Sequence, residues 1–309
     1  MSARLAARLV DAHVPTLDGP GRADFCVGRD CTALELMRSL VPSRAMVARV
    51  FEGAQLKDAD GGALARNAQL GPGSAVSVEL RVTRDAVPSA KGPLELLYQD
   101  PFLLAVEKPT GILVHGDGTD AATLTALVQG LLQEQGTTAV PQALHRLDVE
   151  TSGIVLFSLT EEFQPAFDEL VAEGGMRKRY YAVIKGRLPQ AEDGWVEVDA
   201  PIARDRHDAR RMRVGRTGKP ALTRLRTCAT AGDLSLVEAE LGTGRRHQIR
   251  VHLAHLGHAI VGDALYGGAR NRGGLLLHAH EVVLQHPLTN EQLVITSALP
   301  KRFPPFPKR

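Results

Sequence analysis

The stretch from His145 to Gly153 reads His-Arg-Leu-Asp-Val-Glu-Thr-Ser-Gly and gathers many side chains that can do chemistry. Asp148 lies among a cation, a second carboxylate, two hydroxyls and an imidazole. The stretch precedes the apolar run from Ile154 to Phe157, which is typical of a buried strand. We therefore predict a polar loop that feeds a strand, and such loops on a rigid sheet often carry catalytic residues.

Each residue of this stretch also has a purely structural interpretation, because Asp, Thr and Ser side chains commonly bond to backbone groups in turns. The ordered string is more specific, since seven positions within a run of nine residues are specified rather than two or three. His-Arg-Leu-Asp-x-x-Thr-Ser-Gly resembles the catalytic signature of the RNA pseudouridine synthases of the large-rRNA and tRNA class. The resemblance implies that Asp148 is the catalytic residue.

Composition limits the class of protein. The chain has 309 residues, 44% of them hydrophobic and 23% charged, which indicates a soluble globular protein of about two domains. No apolar stretch approaches the roughly 20 residues of a membrane span, and no secretory signal is recognisable. The three cysteines suit a reducing compartment, so we expect a cytoplasmic protein. We also expect a monomer. A net charge of +2 does not by itself identify a nucleic-acid-binding protein.

A segment containing Pro88, Ser89 and Gly92-Pro93 divides the chain. We predict an N-terminal extension over 1–30, a small α/β module over 31–84, a linker over 85–93 and a catalytic domain over 94–309. In the module, Ser43 is expected to cap a helix over 44–52. Two short helices, a turn and a strand resemble the S4-type RNA-binding fold. The resemblance implies that the helical surface presents three arginines to phosphates, unless they are merely solvated: Arg38, Arg44 and Arg49.

Two further segments resemble motifs of the same synthase family. The segment that begins at Tyr98 and includes Glu107-Lys108-Pro109 resembles the first motif, which supports the floor of the active site. Lys178-x-Tyr180-x-Ala182 resembles the second motif, whose tyrosine lies against the target base. Because side chains alternate along a strand, Tyr180 and its neighbour Tyr181 should point to opposite faces.

The segment from Gly242 to Gly267 resembles the third motif of the family, and a helix is predicted to end near Gly257. The resemblance implies that Arg250 pairs with the catalytic aspartate and favours its ionised form. The histidines in this segment invite a metal-site interpretation, but their spacing fits no common zinc pattern, so we expect no metal. Further along, Leu277 matches the position where the family places an apolar side chain in the base pocket.

The segment from Arg204 to Arg226 contains nine Lys or Arg residues and two Asp residues, with glycines and a proline that break regular structure. We predict a flexible basic loop. This loop is either a solvated surface or a site that binds a phosphate backbone. Because the central signature implies an RNA substrate, we favour phosphate binding.

Uridine-to-pseudouridine isomerisation breaks the C1′–N1 bond, turns the uracil and rejoins it to the ribose through C5. The reaction is redox-neutral, so we expect no cofactor. Asp148 would supply the carboxylate, Tyr180 would stack on the uracil, and Arg146 could fill the gap left by the flipped base. The other residues expected to bind the substrate are His145, Thr151, Arg245, His247, Gln248 and Leu277.

The family resemblance implies an α+β fold with a mixed, mainly antiparallel sheet and flanking helices. Two other functions remain open at this point. An N-glycosidase acting on RNA or nucleosides could use Asp148 with Glu150 and would release free uracil. A non-catalytic RNA-binding protein associated with the ribosome would keep the basic segment and would tolerate the loss of Asp148.

Overall fold

The computed structural model describes residues 10–11, 21–80, 87–116, 122–189 and 194–307. Its centre is a ten-stranded sheet. The strands of this sheet are β7 (Leu96–Gln99), β8 (Leu103–Lys108), β9 (Gln142–Ala143), β10 (Ser152–Ser158), β11 (Met176–Lys185), β12 (Val196–Asp199), β15 (Leu222–Ala231), β16 (Leu234–Leu241), β17 (Leu277–Gln285) and β18 (Gln292–Thr296). The numbers β13 and β14 belong to a separate hairpin described below.

The strand order is β12-β15-β16-β11-β17-β10-β8-β7, with β18 beside β17 and β9 beside β10. Among the described strands, β10 and β17 run parallel, and the other neighbours in this sheet run antiparallel. The prediction of a mixed, mainly antiparallel sheet in an α+β protein is therefore confirmed. All seven residues of β10 are buried, as expected for a central strand.

Five helices flank the strands in the described part of the chain. They are α1 (Ala33–Leu40), α2 (Arg44–Glu52), α3 (Leu124–Glu134), α4 (Gln164–Ala172) and α5 (Gln248–His255). Thr32, Ser43 and Thr123 cap α1, α2 and α3 with side-chain oxygens that accept backbone N–H bonds. No helix among these residues is long and apolar enough to cross a membrane.

The N-terminal module includes residues that lie before its predicted start at residue 31. Strand β2 (Arg22–Val27) pairs with β6 (Ala75–Glu79), and β1 (Val10–Asp11) and β4 (Leu56–Lys57) extend the same sheet. Two shorter strands, β3 (Cys31–Thr32) and β5 (Gln69–Leu70), pair with each other. Sequence analysis did not predict β2, because the glycines and prolines around residue 20 indicate a break in regular structure. In the structure, buried residues of β2 alternate with more exposed ones.

This module packs directly against the catalytic domain. The ring of Phe25 lies 6.2 Å from that of Phe102 and 5.7 Å from that of Phe163, measured between ring centroids. Arg49 forms an ion pair with Glu161 at 3.0 Å across the same contact. The two parts therefore share one apolar cluster, although a linker rich in Pro, Ser and Gly joins them in sequence.

The basic segment predicted as a flexible loop is largely ordered. Strand β13 (Ile202–Arg204) pairs with β14 (Met212–Val214) to form a hairpin, and the C-terminal part of the segment belongs to β15. Three-residue strands that pair mainly with each other leave little apolar pattern, which is why sequence analysis missed them. Arg210 binds Asp208 at 2.8 Å, so part of the positive charge is already balanced within the hairpin.

Candidate active site

Three neighbouring strands bring the predicted catalytic residues together. Strand β17 lies between β10 and β11, and Tyr180 on β11 pairs with Ala279 on β17. The loop that carries Asp148 leads into β10, and Leu277 begins β17. The Asp148 loop, Tyr180 and Leu277 are far apart in sequence but are therefore brought together by three adjacent strands of the sheet.

Backbone bonds hold the Asp148 loop in place. The carbonyl oxygen of Val149 accepts hydrogen bonds from the Gly111 N–H at 2.8 Å and from the Lys108 ammonium at 3.1 Å. Within the turn, the Thr151 N–H donates to the Asp148 carbonyl at 3.0 Å. Lys108 is fully buried, and burial lowers the pKa of its ammonium to about 8. The first motif thus supports the loop through specific contacts.

Gly153 is required where the loop enters β10. Its φ is 117°, and a Cβ added there would lie 2.2 Å from the carbonyl oxygen of Ala279. A larger residue would therefore push β10 away from β17. Glycine at the end of the signature thus has a direct structural reason.

A buried polar chain lies behind the loop. Ser152 Oγ is 2.8 Å from Nδ1 of His278, and His278 Nε2 is 3.0 Å from Ser297 Oγ. Ser297 donates to Glu107 at 2.6 Å, and Arg302 donates to Ser152 at 2.7 Å. Burial lowers the pKa of His278 to about 3, so the ring is neutral at pH 7. The C-terminal segment thereby braces the start of β10.

Asp148 opens into a cavity of about 490 Å³. Its side chain is 22% exposed, whereas Arg250 is 2% exposed. The lining residues come from the loop, from β11 and β17, and from the turn that precedes α5. They include Leu144, His145, Arg146, Leu147, Thr151, Lys178, Tyr180, Gly244, Arg245, Arg246, His247, Gln248, Ile249, Arg250 and Leu277. All ten residues predicted to form the site therefore line one cavity.

Arg250 lies between three carboxylates. Its Nη1 is 3.6 Å from Asp148 Oδ2, and its Nη2 is 3.0 Å from Glu150 Oε2. Two shorter bonds of 2.8 Å join its Nε and Nη2 to Asp263, which is fully buried. Asp263 thus holds the guanidinium in place, and the third nitrogen faces the predicted catalytic carboxylate.

His247 faces Asp148 from the other side. It adopts the left-handed conformation with φ 57°, immediately before α5, and its Nε2 is 3.9 Å from Asp148 Oδ1. Its Nδ1 is 2.8 Å from the Tyr266 hydroxyl, which accepts a bond from the Met212 N–H. The hydroxyl proton can then be donated to Nδ1, which leaves the ring proton on Nε2. Burial lowers the pKa of His247 and favours this neutral ring.

The two tyrosines of the second motif point to opposite faces, as predicted. Tyr180 is 6% exposed and lines the cavity, and burial together with the charge of Asp148 raises the pKa of its hydroxyl. Tyr181 stacks on His280, with 3.9 Å between the ring centroids. One flat aromatic face is thus available beside Asp148.

Two predicted substrate-binding residues have polar atoms engaged by the protein itself. Gln248 donates to the Leu222 carbonyl at 2.8 Å and to Thr223 at 2.9 Å, and its oxygen accepts from Thr243 at 2.8 Å. Nε2 of His145 accepts the Leu156 N–H at 3.2 Å. These side chains therefore position the backbone of the site, which differs from the expected direct contact with substrate.

The remaining predicted residues differ in their access to the cavity. Thr151 and Leu277 are almost fully buried in its wall. Arg146 and Arg245 are exposed at its mouth, and Arg245 donates to the carbonyl of Pro220 at 2.9 Å. The mouth is therefore positively charged, whereas the interior combines apolar and polar walls.

Sequence analysis missed the roles of Asp263 and Tyr266, although both lie in the segment that resembles the third motif. An Asp three residues before a Tyr is a weak signal, because its meaning depends on Arg250 and His247 folding back onto it. Among the described residues, no group of three or more His, Cys, Asp or Glu side chains could hold a metal ion.

Comparison with known sequences points to one family. Residues 103–255 match the family of RNA pseudouridylate synthases. The chain is 38% identical over 215 residues to the RNA pseudouridine synthase YhcT of Bacillus subtilis, covering 68% of this chain and 70% of that protein. It is 35% identical to tRNA pseudouridine synthase C of Salmonella typhi, covering 67% and 85%. It is 36% identical to ribosomal large subunit pseudouridine synthase D of Xylella fastidiosa, covering 71% and 70%.

Comparison with solved structures points to the same family. Human RNA pseudouridylate synthase domain containing 4 aligns with a TM-score of 0.55 and 26% identity, over 67% of this chain and 89% of that chain. The residues 103–255 that match the family include the Asp148 loop, β11 and α5, which supply most of the cavity lining. On its sequence and its fold, the chain belongs to the RNA pseudouridine synthase family.

Proposed function

We propose that Asp148 is the catalytic carboxylate with which this RNA pseudouridine synthase isomerises specific uridines in structured rRNA or tRNA. The observation that carries the proposal is the position of Asp148, which is partly exposed at a cavity between Arg250 and His247. A carboxylate that only shaped a turn would need neither a cavity nor a buried cation beside it. The positive charge of Arg250, 3.6 Å from Asp148, complements the negative charge that the reaction requires of this carboxylate.

The cavity supports a division of roles among its residues. Tyr180 offers the face on which the uracil stacks, and Leu277 supplies an apolar wall for the base. Such walls exclude water that would otherwise trap the ribose after the glycosidic bond breaks. Arg146 is exposed, which supports its proposed entry into the space that a flipped nucleotide leaves.

RNA binding is assigned to surfaces around the mouth. The hairpin of β13 and β14 borders a second cavity of about 460 Å³, next to the first one. Four cations line this second cavity, and they suit contacts with phosphates: Arg204, Lys219, Arg245 and Arg246. This arrangement supports a role for the hairpin in holding the RNA backbone.

The N-terminal module is proposed to be S4-like and to add RNA affinity through Arg38 and Arg44. Arg49 is engaged with Glu161, so it contributes to the contact between the two parts of the chain. Removing the module would expose Phe102 and Phe163, so point substitutions test its role better than truncation does. Arg38→Ala with Arg44→Ala should weaken RNA binding and leave the single-turnover rate at saturating RNA unchanged.

We further propose that the protein works in the cytoplasm as a monomer that needs no cofactor. The reducing-compartment pattern of three unpaired cysteines and the nature of the substrate support the location. The target nucleotide is tested by mapping pseudouridine in host rRNA and tRNA with and without the gene. A site that loses pseudouridine and regains it with the wild-type gene, but not with Asp148→Asn, identifies the substrate.

A further inference from the structure

Lys178 lines the Asp148 cavity without a partner among the described residues. Its side chain is partly buried, and no hydrogen bond or ion pair of its ammonium occurs in that part of the chain. Burial lowers the pKa of this ammonium. The nitrogen is not one of the described buried atoms that lack a partner, so it opens onto the cavity, where a polar group of a ligand can bind it.

The strand that carries Lys178 directs it toward the same space as Tyr180. The two residues are two apart on β11, so their side chains share one face of the sheet and lie roughly 7 Å apart along the strand. Both line the cavity. A uracil stacked on Tyr180 would therefore have its edge within reach of the Lys178 ammonium.

The other cations of this lining are either paired with carboxylates or exposed. Arg250 binds Asp263 and Glu150, and Arg245 and Arg246 donate to backbone carbonyls. Arg146 is exposed at the mouth rather than inside. Lys178 is therefore the partly buried cation of this lining that has no partner among the described residues. Its ammonium is available to the substrate.

We propose that the Lys178 ammonium binds a carbonyl oxygen of the uracil and stabilises the negative charge that the ring carries once the C1′–N1 bond has broken. This inference rests on the proposed function of Asp148. It adds a second catalytic group to the site, because electrostatic stabilisation works best when a donor is fixed where charge develops.

The charge follows from the electron balance of the first step. When C1′–N1 breaks, the electron pair stays on N1, and the uracil leaves with one negative charge shared among N1, O2 and O4. This holds whether Asp148 attacks C1′ or removes the 2′ proton. The ring then forms a bond from C5 to C1′ as the bond between Asp148 and C1′ breaks or, in the second case, as the abstracted proton returns to C2′. The C5 proton passes to solvent. Lys178 donates a hydrogen bond throughout and is not consumed.

The test compares Lys178→Met, which removes the charge, with Lys178→Arg, which keeps it. The first should lower the single-turnover rate of tritium release from C5-labelled uridine by about 100-fold or more at saturating RNA. The second should recover part of that loss. Affinity for RNA, measured in the Asp148→Asn background, should change less than threefold for both.

A change of substrate distinguishes a catalytic role of Lys178 from a purely structural one, because a structural role would affect both substrates equally. Fluorine at C5 withdraws electrons and stabilises the departing anion, so RNA containing 5-fluorouridine depends less on Lys178. The fold loss caused by Lys178→Met, measured as disappearance of 5-fluorouridine from digested RNA, should be smaller than the loss with uridine. An equal loss with both substrates would overturn the proposal.

Lys185→Met is the matched control, since Lys185 lies on the same strand but is exposed and pairs with Asp233 at the surface. It should behave as wild type. The melting temperature of Lys178→Met should be no lower than that of wild type, because the substitution removes a partly buried charge. If Lys178→Met misfolds, the rate and RNA affinity of Lys178→Gln are compared in the same way. Weaker RNA binding with an unchanged rate would indicate a phosphate contact and would overturn the proposal.

The Asp148→Asn protein separates the two levels of inference. If it releases tritium like wild type, the proposed function itself fails. If it is inactive while Lys178→Met reacts at the wild-type rate, the role of Asp148 stands and only the role of Lys178 is wrong.

Discussion

Arg250 binds Asp263 more closely than it binds Asp148. Two bonds of 2.8 Å join the guanidinium to the buried Asp263, whereas 3.6 Å separates it from Asp148. The cation that faces Asp148, the proposed catalytic carboxylate, is thus itself held by a second carboxylate. This arrangement fixes Arg250 without neutralising Asp148 in a tight pair, which leaves Asp148 accessible to the substrate.

Replacing Arg250 should affect both stability and catalysis. Arg250→Met leaves Asp263 buried without its partner, so we expect the free energy of unfolding to fall by about 3–5 kcal/mol. The single-turnover rate of the protein that remains folded should also fall. Urea denaturation and tritium release measure the two effects.

Arg22→Met is a suitable control for that change, because Arg22 forms an exposed ion pair with Asp24. Such a pair contributes at most about 1 kcal/mol. If Arg250→Met is no more destabilising than Arg22→Met, the buried pair does not have the structural role assigned to it.

Tyr180 should act mainly through its aromatic face. Tyr180→Phe keeps the ring, so RNA affinity should be unchanged, whereas Tyr180→Ala should lose about 1–3 kcal/mol of stacking. Binding is measured in the Asp148→Asn background so that no reaction occurs. A large rate loss in Tyr180→Phe would show that the hydroxyl has a further role in proton transfer.

The basic hairpin should contribute salt-dependent affinity. Replacing Arg204 and Lys219 with Ala should flatten the plot of log affinity against log salt by about 0.7 per lost contact with single-stranded RNA. Lys301→Ala, an exposed change in the C-terminal segment, serves as the control. An unchanged slope in the double variant would mean that the hairpin surface is solvated in the complex.

Lys108 should make stability depend on pH in the alkaline range. Its ordinary pKa is 10.5, and burial lowers the pKa in the folded protein to about 8. Between these values the unfolded chain binds more protons, so the free energy of unfolding should rise as pH increases from about 8 to 10.5. Below pH 8 the full destabilising effect of the buried charge is present.

The comparison with Lys108→Met isolates this effect from other groups that titrate in the same range. Wild type should gain stability relative to the variant by about 1–3 kcal/mol across the interval. Urea denaturation at pH 7.5, 9 and 10.5 provides the values. Parallel pH curves for the two proteins would contradict the assigned protonation behaviour of Lys108.

The fold class, which is confirmed, and the proposed site residues, which line one cavity, both came from the resemblance of whole motifs to a family. The apolar run after Gly153 was predicted to be a strand and lies within β10. The alternation of side chains along a strand predicted that Tyr180 and Tyr181 point to opposite faces, which is confirmed. The contacts of Asp263 could not be predicted, since they require two segments to fold onto each other. Similarly, the β13–β14 hairpin has strands too short to leave a periodic pattern.

The role of Gln248 shows a related limit. A polar residue in a motif can contact substrate or hold the backbone, and the residue type is the same in both cases. The structure distinguishes them because Gln248 is buried and bonds to Leu222, Thr223 and Thr243. Its amide is therefore occupied before any RNA binds.

Tritium release by Asp148→Asn tests the central claim most directly. The substitution keeps the size of the side chain and the turn geometry, since Asn forms the same turn, but it removes the carboxylate. We predict that single-turnover release from C5-labelled uridine in RNA is abolished, while the melting temperature and RNA affinity remain close to those of wild type. Wild-type tritium release by this variant would contradict the assignment of Asp148 as the catalytic residue.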